Sequence, residues 1–75
     1  MRSILFLKTI SINPDNLDNW MDLAFTLRHL GESLISEGIL FYFPYVIHYY
    51  KYLKLFDCDY NTLKQLILEI SKKAR

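Results

Sequence analysis

The stretch NPDNLDNWMDLAFTLRHLG, Asn13 to Gly31, carries the signals for both ends of one helix in its own residues. Pro14 biases Asn13 toward extended backbone, so a preceding helix should end there. Asp15 or Asn16 then offers a side-chain oxygen to the unpartnered N–H groups of a new helix, and Asp18 suits the positive N-terminal end. Leu17, Trp20, Ala24 and Leu27 follow at i, i+3, i+7 and i+10, a spacing that sets them on one helical face. Gly31 is well placed as the stop, because glycine enters the left-handed backbone of a helix end without a steric penalty. The reading predicts a helix over 16–30.

Working outward, residues 2–12 form a leading helix with Ile4, Leu7 and the Ile10–Ser11 turn on one side and Phe6 nearby. At the other end, 60–74 reads as a closing helix. Leu63, Leu66, Ile67, Ile70 and Ala74 make its apolar face, and Lys64, Gln65, Glu69, Lys72 and Lys73 lie opposite. Lys72, Lys73 and Arg75 suit its negative C-terminal end. Between them, 32–56 is one helix bent at Pro44 or two short helices with Pro44 opening the second; proline's low tolerance inside a helix favours a break near Phe43. ILFYFPYVI has strand-like composition, but no stretch sustains two-residue alternation. The expected fold is all-α: antiparallel helical hairpins, four to five short helices, one small domain over 1–75.

A chain of 75 residues hides only about 60% of its unfolded surface on folding, so its stability is marginal unless something adds to it. The lone cysteine, Cys58, excludes an intrachain disulfide and argues against a zinc cage. Partner surface is what remains. Hydrophobic residues at 52%, with two glycines and two prolines, exclude a disordered chain, and a net charge of +1 argues against nucleic acid as the partner. The apolar run in MRSILFLK is too short for a secretory segment, and Ile39 to Tyr50, closed by Glu37 and Lys51, falls short of the roughly 20 residues of a spanning helix. That run reads as buried core or interface, with a membrane-surface segment as the lesser alternative. With no export signal and one free thiol, cytoplasmic residence is the default expectation.

The pattern Trp20-x-x-Leu23-Ala24-x-x-Leu27-x-x-x-Gly31 resembles the first helix of a tetratricopeptide repeat. NPDN resembles the turn between such repeats, and ILFLKTISI the end of a preceding second helix. The second half matches less well. In an uninterrupted register Ser36 takes the family's small position and Leu40 its aromatic one, but Phe43 stands where alanine is expected and His48 where proline is. About ten inserted residues would instead set Val46, Tyr50 and Leu53 at those places and Asp57 to Asp59 on the turn. Lys64 stands where a further repeat would carry tryptophan. The resemblance therefore covers one repeat with flanking helices. Solenoid units stack to bury their faces, and about three are ordinarily needed, so a chain this short should self-associate, pack on another protein or be a cut-down piece of a longer array.

The resemblance implies a partner groove on the first helix of the hairpin, and residue-by-residue transfer gives Asp18, Met21, Phe25, Arg28 and His29. An apolar anchor beside an arginine that grips a carboxylate suits an extended peptide or a partner helix. The plainer alternative packs Met21 and Phe25 against the leading helix. A second surface is the basic, tyrosine-edged stripe of Tyr45, His48, Lys51, Tyr52 and Lys54, usable on an acidic partner, anionic lipid or nucleic-acid backbone, or simply solvated. Reactive chemistry is thin. His29 and His48 lack the i, i+4 partner or cysteine pair of a metal site. Cys58 sits between two aspartates that oppose its thiolate, and no acids pair for proton transfer. The expected function is a non-catalytic protein–protein interaction module without a cofactor, probing a protein or peptide partner and forming homo-oligomers. The alternative is a small regulatory protein binding nucleic acid or a membrane surface through the tyrosine–lysine stripe.

Overall fold

The computed structural model describes residues 2–73, with side chains from Leu7 onward, and contains five helices: α1 Arg2–Ile12, α2 Leu17–His29, α3 Ser33–Phe41, α4 Phe43–Tyr52 and α5 Tyr60–Lys73. The described residues form no strand, so ILFYFPYVI is helical despite its composition. The Ile4, Phe6, Ala74 and Arg75 side chains invoked above lie outside the described residues.

Each boundary has a local cause. Asn16 caps α2 by accepting the Asp18 N–H at 3.0 Å. At the far end Gly31 takes φ +89°, which lets the Gly31 N–H reach the Arg28 carbonyl and the Glu32 N–H reach the Leu27 carbonyl, the paired bonds of a Schellman turn. The same turn ends α4, with Lys54 at φ +53°, bonding to the Lys51 carbonyl, and the Leu55 N–H bonding to the Tyr50 carbonyl. Between α3 and α4 the chain breaks at Tyr42, so the two-helix alternative for 32–56 is the one found. Pro44 is the second residue of α4, inside the first turn, where its missing N–H leaves no bond unmade. Asp59 precedes α5 and accepts the Thr62 N–H at 2.9 Å and its hydroxyl at 2.7 Å, and these bonds hold the Asp59 carboxyl below its ordinary range.

α2 packs along α3 and α1, and α5 runs back across α3 and α4 to touch α1. α2 lies most extensively along α3, and its Trp20 meets Tyr50 of α4 edge-on. The Cα radius of gyration, 10.9 Å, matches the roughly 11 Å of a compact chain this long, so the helices close around one core instead of extending as an array. That core is Ile10, Trp20, Leu23, Ala24, Leu27, Ile35, Ile39, Val46, Tyr50, Leu63, Ile67 and Ile70.

Trp20 is the hinge-pin. It is fully buried, its indole N–H donates to the Pro14 carbonyl at 2.7 Å, and its ring stands edge-on to Tyr50 at 5.4 Å. Tyr50 in turn meets Phe56 edge-on at 5.5 Å. One indole thus ties the α1–α2 turn to α4. Leu17 departs from the expected stripe and is 51% exposed. The buried arc is centred on Trp20 and Leu27 and includes Leu23; Leu17 lies about 70° off that centre by helical geometry, on the first turn, where α1 and α3 do not cover it.

Candidate functional site

The burial of Trp20, Leu23, Ala24 and Leu27 fixes the rotation of α2 and therefore what it shows to solvent. Asp18, Met21, Asp22, Phe25, Arg28 and His29 all fall on the opposite, exposed side. The five residues expected to line a partner surface lie together on one face, and Leu17 and Asp22 join them. The spacing of four from Asp18 places Asp22 there from sequence alone, whereas periodicity places Leu17 with the buried stripe and the structure leaves it exposed. Of the two readings of Met21 and Phe25, core or open anchor, the structure places them outside the core, 37% and 44% exposed.

The face has an ordered charge pattern. Asp18 stands in its first turn, Asp22 in mid-helix between Met21 and Phe25, and Arg28 and His29 in its last turn. Asp18 and Arg28 sit at the ends of α2 where the helix dipole favours their charges. Among the described residues the ion pairs are Lys51–Asp15 at 2.8 Å and Lys64–Glu32 at 3.7 Å, so Asp18, Asp22 and Arg28 have no partner there. The arginine fork is open to solvent.

The second constellation does not form a free basic stripe. Lys51 turns toward the α1–α2 turn and bonds Asp15, which neutralises it. Lys54 stands in the left-handed turn after α4. His48 stacks on Tyr52 at 6.2 Å, while Tyr45 and Tyr52 join Tyr42 and Tyr49 on one wall of a groove of about 800 Å³ between α4 and α5. Gln65, Leu66, Glu69, Ile70 and Lys73 make the other wall. The Tyr42, Tyr45, Tyr49, Tyr52 spacing was readable as one helical face, but only the packing of α5 shows that it becomes a groove wall.

Cys58 is half-buried, and burial pushes its thiol up from the ordinary value, with the Asp59 and Asp57 carboxylates adding to the shift. Burial likewise raises the Tyr50 and Tyr60 phenols. Among the described residues no group of three or more His, Cys, Asp or Glu is placed to hold a metal, and no helix is long and apolar enough to cross a membrane. No family model matches the chain, and neither a curated protein nor a solved structure is significantly similar to it. The face of α2 must therefore be interpreted from its own chemistry.

Proposed function

We propose that this chain is a non-catalytic protein–protein interaction module, tetratricopeptide-like in its α2–α3 hairpin, which receives an amphipathic partner helix on the outer face of α2. The carrying observation is the open pair Met21 and Phe25, flanked by Asp18 and Arg28, which have no ion-pair partner among the described residues. Apolar anchors ringed by charge are the composition of an interface centre with a polar rim. The partner chemistry follows from the face: an apolar ridge for Met21 and Phe25, a cation near Asp18 and Asp22, and a carboxylate for Arg28 to hold bidentately. Cytoplasmic residence fits this reading. The tyrosine–lysine stripe as a nucleic-acid or membrane surface is less well supported, because Lys51 is already paired.

Truncating Phe25 and Arg28 together to alanine should weaken partner capture by about 2 kcal/mol or more, roughly thirtyfold in affinity, with helicity by circular dichroism unchanged. Unaltered capture by the double variant would defeat the assignment of this face.

A further inference from the structure

The outer face of α2 is complementary to itself when reversed. Met21 and Phe25 lie equally far along the helix from position 23, on either side of it, and so do Asp18 and Arg28. Leu23 itself points into the core, so the symmetry belongs to the exposed residues alone. Two copies laid face to face with opposite helix directions bring each Met21 level with Phe25 of the second copy, and each Asp18 level with Arg28 of the second copy. Asp22, one residue from position 23, comes near its own copy across the axis, a single like-charge pair set against two Asp18–Arg28 pairs. The parallel arrangement instead sets Asp18 level with Asp18 and Arg28 level with Arg28, so repulsion selects direction. Antiparallel helices also place opposite dipole ends side by side.

From this charge and anchor pattern we infer that the occupant of the α2 face is a second copy of the same chain, bound across a two-fold axis with the two α2 helices antiparallel. The inference rests on the reading of that face as a binding surface and names its partner. A two-fold contact requires one patch to complement itself, which a face with Asp18 at one end, Arg28 at the other and apolar anchors between them does. The arginine fork gains a carboxylate, and the two exposed anchors of each copy are removed from water.

Charge exchange tests both partner and direction. Sedimentation equilibrium of the full chain should show a monomer–dimer equilibrium. Asp18→Arg or Arg28→Asp alone should raise the dissociation constant about tenfold or more, and the double exchange should restore it to within roughly threefold of the original. Circular dichroism on the same samples controls for folding, which surface substitutions should leave intact. As a measurement independent of those variants, Met21→Cys and Phe25→Cys chains in a Cys58→Ser background are mixed and oxidised. An excess of the mixed disulfide over both like pairs supports the antiparallel register, and an excess of like pairs overturns it. A chain monomeric at every concentration, or a dimer indifferent to both single exchanges, also overturns the inference. If that monomer still loses a different partner on alanine substitution of Phe25 and Arg28, the second copy falls and the binding face stands; if capture is unaffected as well, both fall.

Discussion

At residue scale, the tightest constraint falls on Gly38. A Cβ built there would lie 2.5 Å from Cγ2 of Ile67 and 2.8 Å from Oγ of Ser71, so α3 and α5 touch through the missing side chain. Ile67 is fully buried and β-branched, which leaves its Cγ2 little freedom to retreat, and the Ser71 hydroxyl is held by the Ile67 carbonyl at 2.9 Å. Gly38→Ala gains about 1 kcal/mol in helix propensity yet should still destabilise the chain, because overpacking of this kind costs about 1–3 kcal/mol. Thermal unfolding should show a lower melting temperature for the variant; a higher one would mean that the α3–α5 approach is looser than described. Nothing in the sequence around Gly38 announces the contact, since Ile67 and Ser71 are remote in the chain. Gly31, by contrast, was legible, because its role is local to the end of α2.

The element scale explains why some boundaries were readable and others were not. The start and stop of α2 depend on Asn16, Asp18 and Gly31, all within the helix or one turn of it, and sequence reading placed the helix within a residue at each end. α4 stops without a glycine. Lys54 occupies the left-handed position at φ +53°, where an L side chain crowds its own backbone. Asp57, at φ +63°, is a residue type that tolerates the region, and its N–H and carboxylate both bond the Ser11 hydroxyl. Lys54 has no side-chain bond of that kind among the described residues. Lys54→Gly should therefore stabilise the chain by about 0.5–1 kcal/mol, the left-handed penalty relieved less the added freedom of glycine in the unfolded state. A rise in the denaturant midpoint with unchanged slope would agree; a fall would show that the Lys54 side chain contributes to folding in a way its exposure does not suggest.

For the whole molecule, the decisive event is the return of α5 over α3 and α4 to α1, which seals the Trp20–Tyr50 core and leaves the Cys58 and Tyr60 side chains partly covered. Stability should therefore depend on alkaline pH with a definite sign. The Cys58 thiol and Tyr50 phenol hold their protons more tightly folded than unfolded, chiefly through burial. Their contribution is fully present below the ordinary thiol value of 9.0 and phenol value of 10.0, and is lost as pH rises through those values toward the raised folded ones. The melting temperature should fall as pH rises from neutrality through that range, and Cys58→Ser should remove the thiol part of the fall. A melting temperature independent of pH over the interval would contradict the burial of both groups.

The sequence by itself determined the all-α class, the position of α2, the amphipathic closing helix and the residues on the outer face of α2, because each follows from helical period and capping within a few residues. Leu17 shows the limit of that reasoning: periodicity defines a stripe, but its edge depends on which neighbouring helix covers it. Only the tertiary structure decided that α3, rather than α4, lies along α2, that the tyrosines of α4 wall a groove, and that Lys51 is paired with Asp15. Those outcomes depend on contacts between residues far apart in the chain, such as Gly38 with Ile67 and Trp20 with Tyr50, which side-chain volume and closure settle and local patterning does not encode.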